Sequence, residues 1–150
     1  MCRQCDYVGL IEASGLSPLP NRVQVIAMIG NSSAPLSAQE IHDGLRINSS
    51  INRVTLYRIL DLLVEYRLVE RMSAGDRSYR YGLAENPNHP SHPHFYCTRC
   101  GRMECLEPRS LELNLAAVRE ALGSRIDRVE VRLDGICKTC LSGSNAERVR

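Results

Sequence analysis

The stretch HPHFYCTRC, His92 to Cys100, packs two histidines and two cysteines into nine positions, and Gly101 follows. The whole chain has four histidines, so this density needs a chemical reason. Three compete: a disulfide, a redox pair or a metal. The seven cysteines fall as Cys2/Cys5, Cys97/Cys100, a single Cys105 and Cys137/Cys140. An odd count argues against a closed disulfide framework. The opening MCRQCDYVGLIEASG lacks a charged region followed by a long apolar run, so a mature cytoplasmic protein with reduced thiols is expected.

Two Cys-x-x-Cys pairs suit a closed tetrahedral four-thiolate site, and zinc, redox-inert and borderline soft, is the expected ion. Cys97/Cys100 and Cys137/Cys140 supply the thiolates, and the 36 residues between them are enough for a strand, helix and strand that bring the ends together. Gly101 fits a tight knuckle turn. The competing readings are buried cysteines or a redox couple. A thioredoxin-like couple wants its Cys-x-x-Cys at a helix start, whereas both pairs read here as strand ends. A closed four-sulfur site leaves the histidines unexplained. His92 and His94, two apart on a strand, point to one side and form a second candidate metal site. Its bland alternative is a pair of solvent-facing imidazoles in a Pro-rich loop. Cys2/Cys5 has the same spacing and is open to three uses: joining a site, sensing oxidation, or being a flexible pair of thiols.

The elements that must carry these groups are legible as two parts and a hinge. PNRVQVIAMIG reads as a helix, with Pro20 in its first turn and Gly30 at its end. Ser37-Ala-Gln-Glu40 is a capping box opening another helix, and Tyr7 to Ala13 is a candidate short helix before them. SSINRVTLYRILDLLVEYRLVER is the longest helix, with Leu56, Ile59, Leu60, Leu63 and Val64 on one face and Arg58 opposite. LVERM and SYRYGL, around Ser73-Ala-Gly75-Asp76, read as a hairpin. ENPNHPSHP is a linker. Beyond it HFYC and RMECLE read as strands, Arg109–Leu122 as a helix opened by Pro108, and RIDRVEVRL as an amphipathic strand alternating Ile126, Val129, Val131 and Leu133. The expected fold class is α+β, an N-terminal winged helix-turn-helix domain plus a small C-terminal α/β domain. The expected boundaries are 1–85 for the winged helix, 86–92 for the hinge, 93–141 for the zinc-stabilised domain and 142–150 for a polar tail. No apolar run is long enough to span a membrane. Net charge is +2, but residues 46–80 hold seven Arg against four acids, so any grip on an anion is Arg-based.

LSAQEI, INRVTLYRILDLLVEYRLVER, HPHFYCTRCGRMECLE and CKTC together resemble the ferric uptake regulator family, over residues 7–141. The resemblance implies a homodimer, paired through the small C-terminal α/β domain as its dimerisation domain, that binds a palindromic double-stranded DNA operator and represses metal-uptake or stress genes when metallated. It implies DNA contacts from Tyr57 and Arg58, with Arg22, Arg53 and Thr55 beside them. It implies structural zinc on Cys97, Cys100, Cys137 and Cys140. The iron-type pattern is broken at Pro35, Gly82 and Val129, where relatives carry metal ligands, so the regulatory site must be rebuilt. The expected ligands are His92, His94 and Glu70, with a fourth from His89 or Cys105. The expected regulatory ion is zinc or ferrous iron, with manganese a third candidate; a thiolate favours zinc. Two rivals remain. One is a zinc hydrolase, against which stands the lack of a general base beside the histidines. The other is a zinc-stabilised winged-helix adaptor without metal sensing.

Overall fold

A computed structural model describes residues 5–75 and 77–143, and the chain divides into two compact units, 1–91 and 92–150. The first unit opens with α1 (Tyr7–Ala13) and α2 (Pro20–Gly30). A two-residue strand β1 (Leu36–Ser37) leads into α3 (Ala38–Leu45), and α4 (Arg53–Glu65) precedes the hairpin β2 (Val69–Ala74) and β3 (Ser78–Leu83).

Side chains at the helix starts account for where these helices begin. Asp6 accepts from the Gly9 amide, Asn52 from the Thr55 amide, and Ser37 with Glu40 forms the reciprocal capping box. Helix α4 is therefore shorter at both ends than the apolar pattern alone suggests. It closes in a Schellman motif, with Arg67 at φ +56°, its amide on the Val64 carbonyl and the Leu68 amide on the Leu63 carbonyl. The buried side chains Leu63 and Leu68 flank that turn and start β2 at once.

The buried face of α4 (Leu56, Ile59, Leu60, Leu63) joins Val25, Ile26 and Ile29 of α2, Ile41 of α3 and Tyr81 of β3 in one core. β3 lies between β1 and β2, antiparallel to both, so the hairpin is a wing attached to the helices through β1. β1 went unseen in the sequence because two residues carry no alternation to read. Asp76, expected in the wing turn, lies outside the described residues; its neighbour Arg77 has φ +68°.

The second unit holds β4 (His94–Cys97), β5 (Met103–Cys105), α5 (Leu115–Leu122), β6 (Arg132–Gly135) and α6 (Lys138–Ser142). β4 is central, antiparallel to β5 and parallel to β6. Three sequence expectations are corrected here. The helix expected over Arg109–Leu122 starts only at Leu115, because Asn114 caps it through the Ala117 amide while Pro108 sits in the tight turn closed by the Ser110 amide on Glu107. The strand expected over Ile126–Leu133 pairs only over Arg132–Gly135: β4, its partner, is four residues long and has no more backbone to offer. Cys137/Cys140 is not a strand end: Cys137 is the N-cap of α6, a helix the sequence reading did not contain.

This unit is poorly filled. Among its described residues the buried ones are Pro93, His94, Tyr96, Cys97, Met103 and Cys137, and α5 buries none. Leu111, Leu113, Val118, Leu122, Leu133 and Ile136 are exposed.

Leu60 is fully buried where α4 meets the rest of the first unit's core. Leu60→Ala should destabilise that unit by about 2–5 kcal/mol. Urea denaturation of the metal-loaded protein checks this; a loss under about 1 kcal/mol would mean that α4 is not packed as described.

Candidate metal centres and nucleic-acid interface

The knuckle Cys97-Thr-Arg-Cys100-Gly101 is the turn between β4 and β5. Gly101 takes φ +72° and returns its amide to the Cys97 carbonyl, a backbone shape that favours glycine. Parallel pairing of β4 with β6 sets Cys97 beside Gly135, so the chain leaving β6 delivers Cys137 to the knuckle within two residues. The Thr98 amide donates to the Gly135 carbonyl, and an Arg99 guanidinium nitrogen donates to the Cys140 carbonyl at 2.6 Å, tying α6 down.

The four sulfurs lie within 4.8 Å of one another. Cys100 Sγ and Cys137 Sγ are 3.8 Å apart, the separation that two ligands at about 2.3 Å on a tetrahedral ion require. The cluster thus fits zinc in number, ligand type and spacing. The Cys137 amide donates to Cys97 Sγ at 3.3 Å. That bond, chiefly, pulls the Cys97 thiol down to about 6, whereas contact with the Cys137 sulfur and its neighbours pushes Cys140 up to about 12. One member is poised as a thiolate while another holds its proton until an ion displaces it. A four-sulfur cluster with pairs at a knuckle and at a helix start is not the layout of a thioredoxin-like couple, even though one pair does begin a helix.

The second cluster lies at the other end of the same hairpin. Antiparallel pairing sets His94 opposite Cys105. His92, two residues earlier, falls on the same side, its ring centroid 4.7 Å from that of His94. Ligand atoms of His92, His94 and Cys105 come within 4.8 Å of one another. His94 is buried and His92 partly so. Desolvation pushes the Cys105 thiol up, so ligation by its thiolate would release a proton. Three donors of the types N, N and S suit zinc, with room for a fourth ligand. Of the other ligands expected here, Glu70 and His89 belong to the first unit, whereas this trio is made by the second unit alone.

Within the first unit, Glu70 of β2 stands opposite Gly82 of β3. Pro35 lies beside Gly82: a Cβ built on Gly82 would come 3.7 Å from Pro35 Cγ. Two of the three positions at which the resemblance expected metal ligands, Pro35 and Gly82, are therefore neighbours, with a carboxylate on the facing strand. His89 closes a turn with Asn86. Cys5 Sγ lies 3.8 Å from Asn86 Oδ1; Cys2 is outside the described residues.

The face of α4 away from the core carries Arg53, Tyr57 and Arg58, all exposed. Thr55 is half-buried, its amide taken by the Asn52 cap. Arg22 is half-buried and donates to the Ser17 carbonyl at 2.9 Å, so its guanidinium is partly committed to its own helix start. Gln39 of α3 was not singled out in the sequence, yet it accepts from Arg53 Nη2 at 2.7 Å while its own amide donates to Asp43. No sequence signal links residues 14 apart on two helices; only the crossing of α3 and α4 brings them together. Arg80 of β3 meets Glu40 of the capping box at 2.7 Å, which anchors the wing to α3.

A winged-helix unit followed by a thiolate-knotted unit with a second ligand cluster defines a class of metal-binding, nucleic-acid-binding proteins. Residues 13–134 match the model of the ferric uptake regulator family, and the chain belongs to that family. It is 26% identical over 132 residues to the ferric uptake regulation protein of Bacillus subtilis, covering 87% of this chain and 89% of that one. It is 27% identical over 125 residues to the zinc uptake regulation protein of Escherichia coli, covering 81% of this chain and 71% of the other. The fold matches the ferric uptake regulator of Helicobacter pylori, described as having three functional metal-binding sites, with a TM-score of 0.74 at 20% identity over 99% of this chain and all of that one.

Two predictions follow from the geometry. Cys105→Ser should leave one tightly held zinc per chain and remove a second, weaker one, whereas Cys97→Ser should lose the tight ion and the fold of the second unit. Metal analysis after gel filtration reads both; loss of all metal from Cys105→Ser would mean that the clusters are not separate. Zinc affinity of the four-sulfur cluster should fall steadily as pH drops, because protons compete with the ion for its thiolates, first at Cys140, which holds its proton most tightly, and last at Cys97. A chelator-competition titration across pH 5 to 8 that stayed flat would contradict this.

Proposed function

We propose that this chain is a metal-responsive transcriptional repressor of metal-uptake or stress genes, acting as a homodimer on a palindromic DNA operator in the cytoplasm. Family membership supports the regulator class. The observation that carries the site assignment is the single hairpin β4–β5, with a four-sulfur cluster at its turn and the His92/His94/Cys105 trio at its base. Cys97, Cys100, Cys137 and Cys140 hold structural zinc. His92, His94 and Cys105 hold the exchangeable ion, with Glu70 of the wing, or His89, completing its shell. The relatives' names include both ferric and zinc uptake; the Cys105 thiolate favours zinc over ferrous iron or manganese.

The second copy is argued from the poorly filled C-terminal unit, whose α5 buries none of its residues and whose Leu111, Leu113, Leu122 and Leu133 are exposed. Such a surface is stable in water when another covers it. Tyr57 and Arg58 of α4 enter the major groove, Arg53 and Arg22 lie toward the backbone, and two copies read two half-sites. Ligation by Glu70 on one side of the Pro-rich linker and by His92 and His94 on the other selects one spacing of the two reading helices. Metal and DNA then favour the same state, which is positive coupling.

The test is a zinc titration of operator binding on protein that keeps only its tightly held ion. Affinity should rise at least tenfold as the exchangeable site fills, and Arg58→Ala should abolish specific binding while retaining both metals. Equal affinity at all zinc concentrations would favour the adaptor alternative.

A further inference from the structure

Helix α4 shows a division of charge along its exposed face. At 100° per residue, Arg53, Val54, Tyr57 and Arg58 fall within an arc of about 140°, opposite Leu56, Ile59, Leu60 and Leu63. Asp61 and Glu65 lie on the same arc one and two turns later. The face is thus cationic and apolar in its first half and anionic in its second, so a polyanion can approach only the first half.

Two aliphatic side chains of the first unit stand out by their exposure. Ile47, in the turn after α3, is 81% exposed and Val54 is 63% exposed, the two highest values among the exposed aliphatic side chains of the first unit. One exposed valine means little by itself. Val54, however, lies on the same arc of α4 as Arg53 and Arg58, one turn before Tyr57, on the face that would meet base edges. The major groove offers one apolar feature on its base edges, the thymine C5-methyl group. A β-branched residue in a helix has essentially one side-chain rotamer, so Val54 presents its methyl groups with little ordering cost.

Arg53 differs from Arg58 in that Gln39, itself held by Asp43, already takes one of its guanidinium nitrogens. A fork so occupied is poorly placed for bidentate contact with guanine and well placed for a phosphate oxygen.

We infer that Val54 is a specificity-determining residue that reads a thymine methyl group in each half-site, while the Gln39–Arg53 pair clamps the adjoining phosphate. This rests on the DNA-binding function proposed above, and it adds a base contact that neither Tyr57 nor Arg58 supplies. A protein partner is disfavoured by the charge of Arg46, next to Ile47 in the chain, and of Arg53 and Arg58, which share the exposed arc of α4 with Val54.

The test uses the full-length zinc-loaded protein and a duplex selected by it from a randomised pool. Each thymine is then replaced in turn by uracil, which deletes only the methyl group. One position per half-site should lose about fourfold in affinity with the unaltered protein, the worth of one buried methyl. Val54→Ala, at an exposed site, should fold normally, bind about as weakly as that loss implies, and show no further loss on uracil. Val54→Thr, which keeps one methyl, should retain part of the discrimination. If Val54→Ala keeps the full uracil sensitivity, or if no thymine is sensitive, the inference is overturned while DNA binding stands. A change only in how dimers load side by side would mean that the patch meets protein, and overturns it equally. Failure to select any duplex would remove the DNA-binding function and this inference with it.

Discussion

The structure of the C-terminal unit depends on the meeting of four sulfurs at one end of β4. Among the described residues of that unit six are buried, two of them cysteines of the cluster. So little apolar burial cannot by itself order some fifty residues against chain entropy. Zinc binding, where it occurs, is folding energy, and the cluster supplies what the missing core does not. It also joins the turn of one hairpin to the start of α6, across 36 residues of chain, and so holds β6 against β4.

The same strand spaces the two clusters. His94 and Cys97 are the first and last residues of β4, about 10 Å apart at some 3.3 Å per residue. Opposite faces and opposite ends keep the four-sulfur set and the His/Cys trio from sharing ligands. A closed four-thiolate site exchanges its ion reluctantly, whereas a three-donor site with room for a fourth is suited to exchange. The register of one short antiparallel pair, His94 against Cys105, therefore gives the module a second, three-donor cluster apart from the four-sulfur one.

The winged-helix unit solves a different problem. Its core is ample, and its surface arrangement is the functional part. The Ser37/Glu40 capping box fixes the start of α3, and Glu40 then receives Arg80 of the wing, so one carboxylate sets helix and wing together. Gln39, one residue earlier, reaches α4 and orients Arg53. On the wing, Pro35 and Gly82 are neighbours and Glu70 stands on the strand facing Gly82.

Several features were determined by sequence alone, each local or periodic. The Cys-x-x-Cys pairs, the His92/His94 doublet, the capping box at Ser37 and the apolar stripe of α4 follow from spacing along the chain. The α+β order of elements was legible for the same reason, and Gly101 marked a turn that glycine suits. Tertiary structure decided everything that depends on a partner distant in sequence. It set Cys105 opposite His94, joined Gln39 to Arg53, and placed Pro35 beside Gly82. It also shortened the last strand to Arg132–Gly135 because β4 offered no more backbone, and gave Cys137 to a helix instead of a strand. Periodicity reports which face of an element is buried, but ladder length and cross-strand register are properties of two segments at once, and no single stretch of sequence contains them.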